Sequence, residues 1–200
     1  MLHGQELALW RSSSGAVQAW ENRCPHRSVR LTLGYVAGDQ LVCRYHGWRY
    51  RPDGRCAFVP ATPTLAPPPT ACVRSYPCRE ADGVVWASLA LLPSGYPPLL
   101  GALDACRSFV VEQSADELAR RIADAGFEPG ASAAVWHEAD SRTGDPVVLL
   151  LQPMTDATTS VHLLLHRGAD ASDRTARRLA ASRRLKQRLA QWAEAEVHHA

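Results

Sequence analysis

Two short stretches, Cys24-Pro-His26 and Cys43-Arg-Tyr-His46, constrain this 200-residue chain more than any other feature. Each carries one cysteine and one histidine close enough to leave a single tight loop, and sixteen residues separate them. Four such donors in this spacing point to a metal centre. The surrounding chain must then form a rigid frame that holds two loops face to face. A structural zinc site more often shows a Cys-x-x-Cys pair followed by a histidine pair.

Here each loop supplies one donor of each kind, so two cysteines can converge on one metal and two histidines on another. That is the ligand set of a Rieske [2Fe–2S] centre, in which imidazoles replace two of the four thiolates. Neutral imidazole removes negative charge and makes its iron easier to reduce, hence potentials of roughly −150 to +300 mV. The expected ligands are Cys24, His26, Cys43 and His46. The alternatives are a structural Cys2His2 zinc site, or four residues that never meet.

The remaining composition narrows the setting. With 46% hydrophobic residues the chain can bury one large core or two small ones. A net charge of only +2 argues against nucleic acid as a main partner. The longest apolar runs, such as Val147–Leu151, are too short to span a membrane. Residues 1–7 lack the basic start and apolar core of a secretory signal. A soluble, cytoplasmic protein is expected. In a reducing compartment the other four cysteines, Cys56, Cys72, Cys78 and Cys106, read as small packing residues rather than disulfides.

The first ninety residues read as short strands. Leu7–Trp10 and Val17–Trp20 flank a serine-rich turn, and Leu41–Tyr45 is another strand-like run. Pro52-Asp53-Gly54 predicts a hairpin between Trp48–Arg51 and Cys56–Val59, and Ala81-Asp82-Gly83 a second between Val73–Tyr76 and Val84–Leu89. Pro60–Pro69 is a rigid loop, and Leu92–Gly101 a Pro/Gly-rich linker. Beyond it a strand is expected at Phe109–Val111, then a helix capped by Ser114 with Glu117 at the third position and stopped at Gly126. Strands at Ala133–His137, Val147–Leu151 and Ser160–Leu165 follow, then a helix from about Ser172 to Val197 with Leu185, Leu189 and Trp192 as its apolar stripe. The domains are expected at 1–92, an all-β antiparallel sandwich, and 105–200, a small α+β unit, joined by a linker at 93–104.

Asn22-Arg-Cys-Pro-His-Arg27 through Cys43-Arg-Tyr-His-Gly-Trp-Arg-Tyr50, with Pro52-Asp-Gly54 and the Pro60 loop, resembles the Rieske domain of the ring-hydroxylating (Rieske non-haem iron) oxygenases, notably vanillate-demethylase-like and phthalate-dioxygenase-like members. The resemblance covers about Glu6 to Leu89. It implies that Cys24 and Cys43 hold one iron, that His26 and His46 hold the solvent-facing iron, and that the Pro60 loop shields a third side. It follows the oxygenase and ferredoxin branch rather than the cytochrome bc type, because neither loop has a spare cysteine for a disulfide. That implies a potential in the lower part of the Rieske range.

A complete oxygenase of this family also holds a mononuclear iron through two histidines and a carboxylate. The usual Asp/Glu-x-x-His-x-x-x-x-His spacing is absent, and no two histidines lie five apart. Yet Val147–Met154, Thr158–His162 and the final helix resemble the end of the oxygenase catalytic (helix-grip) domain, in shortened form. His137 with Glu138 and Asp140, and His162 or His166, are either remnants of an iron triad or ordinary sheet histidines. The arginines of the last helix form either a docking face for an acidic redox partner or a solvated face. The reading that follows is a carrier moving one electron at a time from a reductase to an acceptor such as an oxygenase, with no catalytic residues of its own. The alternatives are an oxygenase component with a non-standard or partner-completed iron site, or a redox-sensing module. The resemblance also allows a homotrimer.

Overall fold

Glycine-marked turns and short alternating runs fold the first half of the chain into small antiparallel sheets. The computed structural model describes residues 1–93, 95–138, 147–167 and 173–197, with side chains of the last helix described as far as Arg188. The chain divides into two units, Met1–Pro97 and Pro98–Ala200.

In the first unit, β1 (Leu7–Arg11) and β2 (Val17–Glu21) pair across the serine turn. A second sheet runs β3 (Tyr35–Ala37), β4 (Gln40–Val42), β5 (Arg49–Tyr50) and β6 (Cys56–Phe58), in that order. The short β7 (Ser75–Tyr76) joins β2, and β8 (Cys78–Ala81) pairs with β9 (Val84–Ala87) as a separate hairpin. The expected partner of Val84–Leu89 was Val73–Tyr76, and the structure corrects this. Pro77 has no N–H to extend a ladder, so the strand breaks there and its two halves join different sheets. Asp82 and Gly83, both at positive φ (51° and 76°), then make a two-residue turn of the kind hairpins favour. The expected strand at Leu41–Tyr45 stops at Val42, because the Cys43 N–H closes a loop with Trp48 O instead of continuing the ladder.

The core of this unit is aromatic. Trp20 is fully buried, edge-on to Trp10 at 4.8 Å and to Tyr50 at 6.4 Å between ring centroids. Leu31, Leu41, Val59 and Val73 fill in around them. Aromatic rings in edge-to-face contact add to stability beyond the area they bury.

In the second unit, β10 (Leu103–Val111) is followed by α1 (Ala115–Asp124), β11 (Phe127–Pro129), β12 (Val135–Glu138), β13 (Val147–Pro153), β14 (Thr159–His166) and α2 (Arg174–Val197). The strands form one antiparallel sheet in the order β10-β14-β13-β12-β11. The Ser114 hydroxyl accepts the Glu117 N–H at 3.3 Å, the expected cap, and Gly126 leaves the helix at φ 87°. Alternate residues of the two central strands (Val147, Leu149 and Leu151; Val161, Leu163 and Leu165) pack against Leu118 and Ile122 of α1 and Ala181 and Leu185 of α2. The sheet has one more strand than expected, since β11 is three residues long and ends in proline. β10 begins six residues before the expected Phe109, its half-exposed residues hiding an edge strand. Ser172, the expected start of the last helix, lies outside the described residues, as do the side chains of Leu189 and Trp192.

Three arginines of α2 pair with carboxylates of the sheet, while Arg178, Arg183 and Lys186 stay exposed. Glu138, on β12, is buried and receives Arg184 at 3.1 Å and Arg188 at 3.0 Å. Arg188 also lies 4.9 Å above the Phe127 ring. Arg174 pairs with Asp104 at 3.3 Å. These cations hold the helix to the sheet.

Two substitutions test this frame. Gly54 sits at φ 83°, and a Cβ there would meet Val73 O at 2.4 Å. Gly54→Ala should cost roughly 2 kcal/mol or more, read as a lower urea midpoint. Glu138→Ala strands two arginine charges that are only 23% and 26% exposed. It should cost about 2 kcal/mol in the same assay, less than the roughly 3–5 kcal/mol of a fully buried pair.

Candidate metal centre

The two Cys–His loops are built alike. The Cys24 N–H donates to Val29 O (2.9 Å) and the Ser28 N–H to Cys24 O (2.8 Å). The Cys43 N–H donates to Trp48 O (2.9 Å) and the Gly47 N–H to Cys43 O (3.0 Å). In each loop the fourth residue after the cysteine turns left-handed, Ser28 at φ 52° and Gly47 at φ 69°. Five-residue spans closed at both ends leave the side chains between them little freedom.

The structure sorts the four expected donors into two pairs, one of cysteines and one of histidines. Cys24 and Cys43 are buried, and their thiols lie close enough to influence each other. Burial pushes the Cys43 thiol up, and the neighbouring Cys24 adds to the effect. His26 is half-buried and His46 exposed, with ring centroids 4.7 Å apart. Burial lowers the His26 pKa, and the His46 and Arg27 charges add to this, so the ring stays a neutral donor. Trp48 stacks flat on His26 at 4.4 Å and 8°, and Tyr45 leans on His46 at 3.9 Å. A Cβ at Gly47 would lie 3.1 Å from Pro60 Cγ, so the start of the proline-rich loop lies against the second donor loop.

Tyr50 went unnoticed in the sequence. Its hydroxyl lies 3.1 Å from Cys24 Sγ. Burial raises the phenol pKa, so the O–H keeps its proton and donates to sulfur. One aromatic among many carries no signal by itself. Only the pairing of Leu41 with Tyr50 across β4 and β5 swings it under the first loop.

This donor set fits a two-metal cluster better than one ion. Thiols pair with each other on the inside and imidazoles on the outside. Among the described residues, no three His, Cys, Asp or Glu side chains converge on a single-ion site. The Rieske [2Fe-2S] domain family matches residues 1–77. The first unit is a Rieske domain.

Similar proteins extend that result. NdmD of Pseudomonas putida, an oxidoreductase, is 52% identical over 98 residues, 48% of this chain and 16% of its own length. TsaM1 of Comamonas testosteroni, the iron–sulfur subunit of a toluene-4-sulfonate monooxygenase system, is 40% identical over 85 residues, 42% of this chain and 24% of its own. The chain thus spans only a small part of these curated relatives. The solved structure of NdmA from P. putida CBB5 superimposes with a TM-score of 0.72 at 20% identity, covering 90% of this chain and 70% of that one. The chain therefore shares that structure's fold, a Rieske domain of antiparallel sheets followed by an α+β unit. No described helix is long and apolar enough to cross a membrane.

The second unit's histidines do not assemble into an iron triad among the described residues. His162 Nδ1 lies 2.7 Å from Ser108 Oγ and Nε2 lies 2.8 Å from Gln152 Oε1, so both ring nitrogens have partners. Glu138 is taken by two arginines. His137 and His166 lie on different strands, His137 opposite Val148 and His166 opposite Leu103. Asp140, His198 and His199 lie outside the described residues.

Burial lowers the pKa of His162 below its ordinary 6.5. The unfolded chain therefore takes up a proton that the folded one resists. The stability owed to the neutral ring is full above about pH 6.5 and declines as pH falls from there through the lower folded value. Urea unfolding of His162→Gln, which keeps hydrogen-bonding capacity without titrating, should depend less on pH in this window than unfolding of the parent.

Proposed function

We propose that this chain is a Rieske-type electron carrier in which Cys24 and Cys43 hold the inner iron and His26 and His46 the outer one. The observation that carries this is the sorting of the four donors: two buried cysteines that interact, and a half-buried and an exposed imidazole with ring centroids 4.7 Å apart. A bound cluster of this kind supplies a one-electron couple at roughly −150 to +300 mV.

The chain's own residues do the rest. Cys24 and Cys43 keep the inner metal away from water. His46 and the edge of His26 reach the surface, where an electron can leave or enter. Trp48 holds the His26 ring flat, and Tyr50 donates to Cys24 Sγ and stabilises the more reduced, more negative state. The partners are a reductase on one side and an oxygenase-type acceptor on the other. TsaM1, named as the iron–sulfur subunit of a monooxygenase system, supports that setting. Six free cysteines suit a reducing, cytoplasmic compartment. The expected cluster domain at 1–92 and linker at 93–104 remain a proposal, with the end of that linker already in β10, which begins at Leu103.

A second reading is an oxygenase component whose mononuclear iron site is completed elsewhere. The oxygenase-type fold of the second unit favours it. Metal analysis decides between them. The carrier binds two irons and two acid-labile sulfides per chain and, when reduced, shows a Rieske electron paramagnetic resonance signal. A third, ferrous iron that binds nitric oxide supports the oxygenase component and sinks the carrier. Cys24→Ser and His46→Ala should each abolish the signal. Survival of the signal in both would refute the ligand assignment.

The potential should fall in the lower part of the Rieske range, and Tyr50→Phe should lower it further by tens of millivolts. Roughly 59 mV corresponds to a tenfold change for one electron, and losing a hydrogen bond to sulfur disfavours the reduced state. A voltammogram unchanged in Tyr50→Phe would remove that role.

A further inference from the structure

We propose that Ser108 is a nucleophile toward carboxylic esters with a short apolar acyl group, with His162 as its general base and Gln152 as the residue that orients the imidazole. This activity is separate from the cluster, since all three side chains belong to the second unit.

The three residues lie on neighbouring strands of one sheet, β10, β14 and β13 in that order. Ser108 pairs directly with His162 across β10 and β14, so both side chains leave the same face. It is the face opposite the helices, because the flanking Phe109, Val161 and Leu163 turn toward α1 and α2. Gln152, opposite Ser160, reaches His162 on the diagonal. Ser108 Oγ lies 2.7 Å from His162 Nδ1, and His162 Nε2 lies 2.8 Å from Gln152 Oε1.

These contacts fix the roles. An amide oxygen can only accept, so Nε2 carries the ring proton. Nδ1 is then the bare nitrogen, and it accepts the serine O–H. Burial disfavours the charged ring, which keeps Nδ1 ready to take a proton. Hydroxyl, imidazole and orienting oxygen, hydrogen-bonded in sequence, form an arrangement that activates a serine.

The place in the sheet adds what an ester would need. Among the described residues β10 is an edge strand, and an edge leaves backbone N–H groups unpaired. In an antiparallel ladder these alternate, so either Ser108 or Phe109 directs its N–H outward, within one residue of the hydroxyl. Such a donor can take up the charge that develops on a carbonyl oxygen. A β-bulge between Ala105 and Arg107 comes just before Ser108, and bulges re-aim the side chains beside them. Ser108 is exposed, and Val110, two residues on along the same face, is 64% exposed. An acyl chain can rest on it.

In the reaction Ser108 Oγ attacks the carbonyl carbon while its proton passes to His162 Nδ1. The bond from that carbon to the alcohol oxygen then breaks, and the proton goes to the departing oxygen. The acyl group stays on Ser108 as an ester. Water, giving its proton to the same nitrogen, releases it as a carboxylic acid and restores the serine hydroxyl.

The test uses the cluster-loaded full chain and a fluorophosphonate probe, which bonds covalently to activated hydroxyls with loss of fluoride, followed by peptide mass spectrometry. Ser108 should be labelled in the folded protein and not in urea. Ser13, exposed but donating to the Gly38 carbonyl, should stay unlabelled. His162→Gln should slow labelling about a hundredfold. Gln152→Met should slow it about tenfold, and Gln152→Glu, which keeps an oxygen for the Nε2–H, should restore it. Para-nitrophenyl acetate should give a burst of nitrophenolate stoichiometric with the chain, lost in Ser108→Ala. Circular dichroism checks that each variant is folded, and if His162→Gln is not, the two Gln152 variants decide. The proposal is overturned if Ser108 is not labelled, if the unfolded chain is labelled equally fast, or if folded His162→Gln or Gln152→Met reacts as fast as the parent.

Discussion

The contact between Tyr50 Oη and Cys24 Sγ joins the donor loops to the hydrophobic core. Tyr50 is fully buried and packs edge-on against Trp20, which packs against Trp10. A displacement of the first loop would therefore disturb the centre of the first unit. The second loop is tied in by a different route, since its closing bond runs from Cys43 N–H to Trp48 O, and Trp48 in turn stacks on His26 of the first loop. Both ties run through one short stretch, Trp48 just before β5 and Tyr50 within it.

Electrostatics divides the two units by task. In the second unit the buried Glu138 draws Arg184 and Arg188 inward, and Asp104 draws Arg174 and Arg167. A carboxylate with two guanidinium partners is a fastening, and it leaves that group no freedom to bind a metal. In the first unit Arg23, Arg27 and Arg44, in or beside the donor loops, are exposed and form no ion pair among the described residues. A helix rich in arginine looked like a partner surface when only its sequence was considered. Part of its charge, on Arg174, Arg184 and Arg188, is spent on the helix's own attachment.

The donor residues were legible because metal chemistry restricts them to a few residue types at short spacing. Cys24, His26, Cys43 and His46 could be selected without knowing how the chain folds. Turn chemistry was equally legible, at Pro52-Asp53-Gly54 and at the Ser114 cap, because each depends on neighbours within a few residues. The misreadings share one cause. Pro77 divides an apolar run between two sheets, β11 is too short to show a period, and the edge strand β10 alternates too weakly to be seen before Phe109. Pairing partners far along the chain decide all three.

Sequence alone singled out the candidate donor residues and the kind of cluster they suit, since donor softness and charge belong to the side chains themselves. Tertiary structure decided the sorting of those donors into a buried sulfur pair and an outer imidazole pair. It also decided the placement of Tyr50 beneath Cys24 and the choice of which arginines remain free. These depend on contacts between residues tens of positions apart, such as Arg188 with Glu138 and Tyr50 with Cys24. Such contacts form only when the sheets have closed and burial has made an unpartnered charge or hydroxyl too costly to leave alone.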